Sequence, residues 1–490
     1  MQLGSGVEPE DENTAAGNPP TPLLDTTSLY SYICAMTARN HWGAVAASTL
    51  LLALAAPTAA QQPLGLREAI VRADRHAYAI RAAGGETRAR AGQADASRRA
   101  FLPTLRLENH WSRTTDPLGA FGFLLRQRTV TPEAFAPERL NRPDPISNVG
   151  AAVVIEQPIL NLDAAFGRRA AVRAHEAGAA GEAWTRTTTR TDLLRRYYGA
   201  VLAEVQVATL DSAHRAAEAH VRQAESLVRN GLATRSDALL AAVRSGEIAA
   251  RLASARADAA LARRRLAVAM GTPADTAFTL PDSLPAADAV RNTAAQAVEE
   301  PGSPAARADV RAAALARAAA EADARRATAA LLPRLNSFGR LDWNSGSTPY
   351  GGKEAWTIGI ALSWTPFSGG SELAERKAAS GRRESAVAMA EAAEARAVLD
   401  AAEADEAVRA ALERLDIAER AVAQSAEAHR IVTRKYAGGI ATVVELFDAI
   451  AAETGSRLAF EQGRFDVLTA VAARRQARGL DLSLLEELDR

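Results

Sequence analysis

The feature that most constrains the fold of this chain is an internal repeat of 208 residues. Gln157-Pro158-Ile159-Leu160 resembles Thr365-Pro366-Phe367-Ser368, and Asn230-Gly231-Leu232-Ala233-Thr234 resembles Gly438-Gly439-Ile440-Ala441-Thr442. The prolines and glycines of these pairs give 366 − 158 = 208 and 439 − 231 = 208, and Gly271 and Gly479 differ by the same number. A repeat of this length predicts two structurally similar halves.

Each half contains a long run without proline, which predicts very long helices. In the first half, 231 − 158 = 73 residues separate Pro158 from Gly231, and 271 − 231 = 40 more lead to Gly271. A fully helical run of 73 residues would extend roughly 110 Å. Apolar residues recur in these runs at the steps of a helix-packing stripe: Leu194, Tyr198, Val201, Val205, Val408, Leu412, Leu415 and Val422. Gly231 and Gly439 can adopt positive φ at a helix end, so each half is predicted to form a helical hairpin with a tight tip.

Outside these runs the apolar pattern changes to a period of two, which predicts β-strands. Helical segments stop before Pro103 and before Pro333, because proline cannot continue a helix. Large apolar residues then occupy every even position of one segment: Trp356, Ile358, Ile360, Leu362 and Trp364. Weaker alternation involves Leu105, Leu107, Trp111, Val149, Ala151, Val153, Ile155, Leu335, Leu341 and Trp343. We expect two strands in each half, each of about ten residues, the length of a tilted membrane-barrel strand.

The predicted strands admit two interpretations. Four of the six tryptophans lie in them, as in the aromatic girdles of membrane barrels. A small water-soluble antiparallel sheet would show the same alternation. Four strands cannot close a membrane barrel, and lipid does not tolerate an open sheet edge, so the membrane interpretation requires several copies; three copies would supply twelve strands. The first connection, from Pro103 to Pro158, is 55 − 33 = 22 residues longer than that from Pro333 to Pro366, which predicts a surface loop.

The start of the chain is predicted to be an extension and a secretory signal. Gly43–Ala56 is a 14-residue apolar run, too short to cross a bilayer comfortably, and small residues follow it up to Ala60. Met36 would begin a signal of ordinary length. The only cysteine, Cys34, precedes the run, so we expect no disulfide in the mature chain. No later stretch reaches 18 apolar residues, which predicts no inner-membrane helix.

Composition and motifs speak against several classes of function. Lys+Arg and Asp+Glu number 58 each, so no net charge is available to attract nucleic acid. The chain has no Gly-rich phosphate loop, no His-Glu-x-x-His motif and no nucleophile elbow. Its seven histidines show no metal-ligand spacing. We therefore expect a protein that is not an enzyme and that has no cofactor, no metal site and no nucleic-acid partner.

The order of these elements resembles the TolC family of outer-membrane efflux proteins. The matching order is signal, Leu-Pro, strand, loop, strand, Gln-Pro, long helix, Gly-Leu-Ala-Thr tip and helix, then the same again, from about Leu64 to Leu480. The resemblance implies a mainly α protein with a membrane β-barrel part. It also implies a homotrimer with a twelve-strand barrel in outer-membrane lipid and a twelve-helix tunnel in the periplasm. The implied function is the duct of a tripartite efflux or type I secretion system, with a periplasmic adaptor (membrane fusion protein) and an inner-membrane pump as partners.

Under this hypothesis the chain divides into five segments, and two other functions remain as alternatives. The segments are 1–60 (extension and signal), 61–275 (first repeat), 276–303 (linker), 304–482 (second repeat) and 483–490 (tail). A periplasmic coiled-coil adaptor or scaffold would carry a lipoyl-like or barrel module between its hairpin arms, whereas here the strands are predicted outside the hairpins. A peptidoglycan-remodelling enzyme with coiled coils would need a catalytic domain.

The resemblance assigns the entrance carboxylates of the duct to Glu445 and Asp448. The residues themselves agree, because positions i and i+3 share a helix face and three copies would place six carboxylates around one axis. The alternative is that both are acids of the first helical turn, stabilised by the helix dipole.

The resemblance also implies an entrance lock between the two hairpins. Its positions match Tyr436 on one hairpin and Ser236 and Asp237 on the other. Ala441 occupies a position where the family carries arginine, so a charged lock is in doubt. The candidate replacements are Arg235 and Lys435, which could equally be solvated charges near the helix ends.

The hairpin tips are the implied docking sites for the adaptor. The positions concerned are Gly231, Leu232, Thr234, Gly439, Ile440 and Thr442. The alternative is simple turn chemistry, and both can hold: a glycine makes the turn, and the exposed apolar residue after it can fill a partner's groove.

Overall fold

The computed structural model describes residues 64–488. The predicted signal segment and Cys34 lie outside the described residues. The first half contains helices α1 (Leu66–His76) and α2 (Tyr78–Ala96), strand β1 (Thr104–Thr114), helices α3 (Pro117–Gln127) and α4 (Pro137–Asn141), strand β2 (Ile146–Leu160), and helices α5 (Leu162–Arg229) and α6 (Arg235–Ala269). The segment between the halves contains α7 (Ala287–Glu299). The second half contains α8 (Ala308–Ala329), β3 (Arg334–Ser345), β4 (Lys353–Ser363), α9 (Ser371–Ala437) and α10 (Val443–Ala477), and α11 (Ser483–Glu486) follows it.

The mainly helical fold with two strands in each half confirms the predicted architecture. The second helix of each hairpin begins and ends at the repeat spacing, since 443 − 235 = 208 and 477 − 269 = 208. The first helices, α5 and α9, have 68 and 67 residues. Each is therefore roughly 100 Å long.

Glycine ends the long helices as the sequence predicts. Gly231 has φ +71° and Gly439 has φ +72°. The amide of Leu232 donates to the carbonyl of Leu227 at 2.8 Å, and the amide of Ile440 donates to that of Lys435 at 2.9 Å. These bonds satisfy helix-terminal carbonyls in the Schellman pattern and reverse the chain within a few residues.

Buried residues at seven-residue steps, most of them small, form the helix contacts. On α9 the buried alanines are Ala390, Ala397, Ala404, Ala411 and Ala418. On α5 the buried series is Ala203, Leu210, Ala217 and Ala224, and on α6 it is Ser245, Leu252, Ala259 and Leu266. Helix α5 packs against α2, α6 and α8, and helix α9 packs against α8 and α10. A strict period of seven imposes a left-handed supercoil, and alanine permits close approach of the helices.

The four strands form one antiparallel sheet in the order β1-β2-β3-β4. Its register aligns Leu107 with Val153, Leu341 and Trp356, one residue from each strand. One face exposes large apolar side chains, with 48% to 75% of their surface accessible: Leu105, Leu107, Trp111, Ile155, Trp356, Ile358, Ile360 and Leu362. A contiguous apolar face of this kind indicates an interaction with apolar material.

The tryptophan assignment needs one correction. Trp364 follows the last residue of β4, Ser363, and so lies just outside the strand. Its indole Nε1–H donates to the carbonyl of Leu331 at 3.0 Å. This bond ties the end of β4 to the segment that leads into β3. Among residues 64–488, no helix is long and apolar enough to cross a membrane.

The opposite face of the sheet is polar. Arg340 donates to Glu108 at 2.9 Å and to Asp342 at 2.8 Å. The ring of Phe338 covers Gly359, where an added Cβ would lie 2.6 Å from it. The two faces therefore differ in chemistry as those of a barrel wall do, apolar on one side and polar on the other.

The longer first connection, predicted as a surface loop, contains α3 and α4, and α3 packs on the sheet. Gln127 at the end of α3 donates through Nε2 to the carbonyl of Ser147 at 2.8 Å and to Asn148 Oδ1 at 3.0 Å. Asn148 in turn donates to Asn344 Oδ1 at 3.0 Å. This chain of buried amides fixes the connection to two strands.

Three buried arginines of α10 fasten the segment between the two halves. Arg464 donates to the carbonyls of Leu284 and Pro285, both at 3.1 Å. Arg474 donates to the carbonyl of Val298 at 3.1 Å, and Arg475 pairs with Glu300. Each of these arginines is buried, so the loss of its partner would leave a buried charge with fewer hydrogen bonds, and together the contacts hold the connecting segment to α10.

The carboxylate of Asp405 on α9 contacts the same arginine cluster. Arg474 donates to it at 2.8 Å, and Arg478 pairs with it as well. Burial opposes ionisation, yet the guanidinium groups of Arg478 and Arg474 lower the pKa of Asp405 overall. The carboxylate therefore stays ionised and joins α9 to the end of α10.

Two glycines with similar backbone angles provide a matched stability test. Gly231 (φ +71°) has open space where a Cβ would be added, whereas at Gly271 (φ +76°) an added Cβ would lie 2.1 Å from the carbonyl oxygen of His76. Gly231→Ala should cost about 1–2 kcal/mol of unfolding free energy through φ alone. Gly271→Ala should cost about 2 kcal/mol more, because α1 must move. Chemical denaturation of the detergent-solubilised protein measures both; equal losses would contradict the close contact.

Candidate functional site: the hairpin tips

Both hairpin tips begin their second helix with the same capping arrangement. At the first tip the amide of Asp237 donates to Thr234 Oγ1 at 3.3 Å, and the amide of Thr234 donates to the Asp237 carboxylate at 3.0 Å. At the second tip the corresponding bonds between Glu445 and Thr442 measure 3.2 and 2.7 Å. Each pair forms a capping box, which satisfies two amides that the helix leaves without partners.

The two predicted entrance carboxylates differ in their surroundings. The Glu445 carboxylate accepts bonds from the amide and hydroxyl of Thr442, and these bonds lower its pKa. Asp448, one turn further along α10, is exposed and has no hydrogen bond or ion pair within residues 64–488. Glu445 thus matches the alternative of a first-turn acid, and Asp448 remains available for other contacts.

The predicted lock positions on the first hairpin are engaged locally. The Ser236 hydroxyl lies 2.7 Å from Thr234 Oγ1. Asp237 accepts from both the side chain and the amide of Thr234, and these bonds lower its pKa. Both side chains therefore stabilise the start of α6.

Tyr436 is buried between the two hairpins with 6% of its surface accessible. It belongs to a cluster from both hairpins that contains Ala217, Ala224, Ala241, Val443, Leu446, Phe447 and Ile450. Its hydroxyl is buried without a hydrogen-bond partner in the described chain. Burial raises the pKa of Tyr436, and the charge of Asp237 adds to this effect.

The position where the resemblance expects arginine is part of this apolar contact. Ala441 is half-buried and packs against the cluster around Tyr436. Neither Arg235 nor Lys435 forms an ion pair in the part of the chain that the structure describes. Within one protomer, the two hairpins are therefore joined at their tips by apolar packing.

The two turns themselves present apolar side chains to solvent. Leu232 is 75% exposed and Ile440 is 81% exposed, each directly after its turn glycine. Gly231, Thr234, Gly439 and Thr442 are exposed beside them. A rigid turn with one protruding apolar side chain suits insertion into a partner's groove.

Above the tips, two histidines meet across the hairpins. The rings of His220 on α5 and His429 on α9 lie 6.4 Å apart, and His429 Nδ1 contacts the carboxylate of Glu453 on α10. Burial lowers the pKa of His220, its bond with Gln223 opposes this, and the nearby His429 lowers it further. Sequence spacing did not reveal this contact, because it depends on the register between two helices about 200 residues apart. Among the described residues, no group of His, Cys, Asp and Glu side chains could hold a metal ion.

A family model and several solved structures resemble this chain. The model described as outer membrane efflux protein matches residues 304–480. VceC of Vibrio cholerae, an outer membrane protein, is 19% identical with a TM-score of 0.71, covering 85% of this chain and 96% of its own. The open-state MtrE outer membrane channel of Neisseria gonorrhoeae is 19% identical with a TM-score of 0.69, covering 86% and 90%. The CmeC outer membrane channel of Campylobacter jejuni is 15% identical with a TM-score of 0.70, covering 87% and 89%.

These matches confirm the predicted resemblance. The family model covers the second repeat, and the solved structures share the fold over most of the chain. No curated protein sequence matches the chain. At identities below 25%, the structural likeness establishes the fold, and the family model adds a resemblance to outer membrane efflux proteins over residues 304–480.

The half-buried His220 gives the hairpin contact a pH dependence. Its pKa is lowered in the folded protein, so the unfolded chain binds more protons at mildly acidic pH, and stability falls as the pH drops below about 6.5. His220→Gln should reduce the loss of thermal stability between pH 7.5 and pH 5, whereas His76→Gln, at an exposed histidine, should leave it unchanged. Melting curves across this pH range provide the measurement. An unchanged pH dependence in the His220 variant would contradict the assignment.

Proposed function

We propose that this chain is the outer-membrane duct of a tripartite efflux or type I secretion system, because it carries the outer membrane efflux protein domain in its second repeat and the fold of such channels over most of its length. In this role it passes substrates from an inner-membrane pump across the periplasm and the outer membrane. The outer-membrane location predicted from the sequence agrees with the description of the family.

The observation that carries this proposal is the exposed apolar face of the four-stranded sheet. Within the described residues, β1 and β4 each pair with one strand only, so the sheet has two open edges. Lipid does not tolerate open strand edges, whereas copies of the same sheet can pair edge to edge and close a barrel. We propose a homotrimer with twelve strands, its apolar face towards lipid and its polar face towards the lumen.

The hairpins support the tunnel part of the proposal. Helices α5 and α9, each roughly 100 Å long, extend from the ends of β2 and β4, so six of them in a trimer would continue the barrel as a wall. The helices that pack against α5 and α9, namely α2, α6, α8 and α10, would complete the wall of the tunnel. The hairpins turn directly at Gly231 and Gly439, with no folded module between their arms, which disfavours a periplasmic adaptor. We propose conduction through a duct in place of catalysis.

The adaptor is proposed to bind the tips through Leu232 and Ile440. Their exposure supports this, and Gly231, Thr234, Gly439 and Thr442 hold the turns that present them. We propose that the lock residues Tyr436, Ser236 and Asp237 keep the two tips together by packing and capping.

At the entrance we propose that Asp448 supplies the carboxylate ring, with Glu445 chiefly serving the helix cap. The free carboxylate of Asp448 and the engaged carboxylate of Glu445 support this division. Three Asp448 side chains around one axis would favour cations.

The duct proposal is tested by the state of the purified protein. Extraction in detergent should yield a heat-modifiable trimer on a gel, and its addition to a planar bilayer should produce discrete conductance steps. A soluble monomer in the periplasmic fraction would exclude the duct.

The entrance proposal is tested by charge-neutral variants of the two acids. Asp448→Asn should reduce cation selectivity and block by divalent ions several-fold. Glu445→Gln removes a charge but keeps a side-chain oxygen for the cap, so it should change both much less. Reversal potentials in a salt gradient measure selectivity. Equal effects of the two variants would show that Glu445 shares the constriction.

The docking proposal is tested by placing charge at the tips. Leu232→Asp and Ile440→Asp should each strongly reduce site-specific cross-linking of the adaptor while conductance is retained, because a carboxylate cannot enter an apolar groove without loss of solvation. Leu118→Asp is the matched control, since Leu118 is 87% exposed on α3, far along the chain from both tips. Undiminished cross-linking in both tip variants would exclude this docking mode.

A further inference from the structure

Two adjoining cavities flank α8 near the point where helices meet the sheet. Their volumes are about 790 and 640 Å³, and they share Glu321 and Arg325. The first lies among α5, α8 and α9, and the second lies mainly between α5 and α8. We call them together the rim cavity. The residues that matter below are Phe166, Arg169, Arg325, Leu332, Arg383 and Val387.

The rim cavity is strongly basic. Six arginines line it: Arg168, Arg169, Arg173, Arg317, Arg325 and Arg383. Only two carboxylates accompany them, so the lining carries a net charge of 6 − 2 = +4. Both carboxylates are already paired, Glu176 with Arg173 at 2.7 Å and Glu321 with Arg317 at 3.0 Å.

Four of the six arginines have no carboxylate partner within residues 64–488, and one of them, Arg168, donates instead to the carbonyl of Ala94 at 3.1 Å. Arg169, Arg325 and Arg383 form no ion pair within residues 64–488, although most other arginines of this region do. The guanidinium carbon of Arg169 lies 5.3 Å from the centre of the Phe166 ring, which orients the group beside the cavity. Guanidinium groups match phosphate oxygens with paired hydrogen bonds, so a phosphate is the anion that this arrangement suits best.

The rim cavity lies beside the end of the apolar sheet face. Leu332 lines it, is 47% exposed, and stands two residues before β3 begins. Phe166 lies 166 − 160 = 6 residues beyond the end of β2, which is roughly 9 Å along the helix. The neighbouring Trp364 is 60% exposed and bonded to the carbonyl of Leu331, as expected for an aromatic residue at a membrane interface.

Charge and apolar surface therefore meet at the level of lipid headgroups. Helical side chains lean towards the helix N-terminus, so Arg169 on α5 and Arg383 on α9 lean back towards the sheet. Leu332, on the sheet side, supplies apolar surface for the first carbons of an acyl chain, whereas Val387 lines the cavity one turn beyond Arg383. Basic pockets that adjoin apolar surface at a membrane boundary suit anionic lipid headgroups.

We propose that the rim cavity binds the phosphate of an anionic phospholipid in the periplasmic leaflet, with Arg169, Arg325 and Arg383 as its ligands. This inference rests on the proposed position of the sheet in the outer membrane. Headgroup and chain act together: the arginines contact the phosphate, and Leu332 contacts the acyl chain.

The test compares lipid binding by the intact protein and by charge-neutral variants. Delipidated protein in neutral detergent is titrated with phosphatidylglycerol, with phosphatidylcholine and with glycerophosphoglycerol, which carries the headgroup without chains. Binding is followed by native mass spectrometry. The variant is R169Q/R325Q/R383Q, and the matched control is R222Q/R251Q/R420Q, three exposed arginines on the hairpins that form no ion pair in the described chain.

We expect phosphatidylglycerol to bind the wild type and the control with equal affinity. Its affinity for the rim variant should be roughly 100-fold lower, because each arginine contributes about a factor of five. Glycerophosphoglycerol and phosphatidylcholine should bind much more weakly. Equal affinity of the wild type and the rim variant for phosphatidylglycerol would overturn the proposal. So would equal binding of glycerophosphoglycerol and the intact lipid, because that result would indicate a site for soluble phosphate compounds.

Conductance in planar bilayers separates this inference from the duct proposal. If the wild type forms channels but binds phosphatidylglycerol no more tightly than phosphatidylcholine, the lipid site is refuted and the duct proposal stands. A wild type that forms no channels would refute the duct, and with it the membrane position from which the lipid site is inferred.

Discussion

The contact between helices through buried small residues at every seventh position is the constraint on which the rest of the structure depends. On α9 five alanines from Ala390 to Ala418 follow this period without interruption. Alanine contributes little apolar area, so each contact is weak, and stability comes from the number of contacts and the close approach of the backbones. A long helix with such a surface cannot support itself in water, because most helical stability in proteins arises from packing. The hairpins and the neighbouring helices α2 and α8 therefore form together.

The sequence predicted the parts of the fold that follow from local rules. Local residues restrict the backbone at their own positions. Helices end before Pro103 and Pro333, the hairpins turn at Gly231 and Gly439, and alternation predicts the strand before Trp364. The sequence did not predict contacts that need a register between distant elements. The meeting of His220 and His429, the bonds from α10 to the connecting segment, and the packing of α3 on the sheet all depend on how far one element slides along another. No local pattern encodes that distance.

The two acids of the second tip, only three residues apart, also show what a sequence pattern cannot predict. Positions i and i+3 share a helix face, so Glu445 and Asp448 look equivalent in the sequence. The third residue of a helix, however, can reach back to the amide of the capping residue, and Glu445 does so. A side chain that satisfies a helix end is less free to bind an ion, whereas its neighbour keeps its full capacity. The start of the helix, set by Thr442, therefore decides which of the two carboxylates is engaged in the cap.

The arginines of α10 also govern the order in which the chain completes its fold. The connecting segment, between α6 and α8, lies near the middle of the sequence, yet Arg464, Arg474 and Arg475 hold it from close to the C-terminus. During synthesis the N-terminal part emerges first, so this segment must wait for nearly the whole chain before its carbonyls and Glu300 find their partners. The last long helix acts as a closing element. A truncated chain would retain both first-half strands and the first hairpin but would lack the groups that join the two halves.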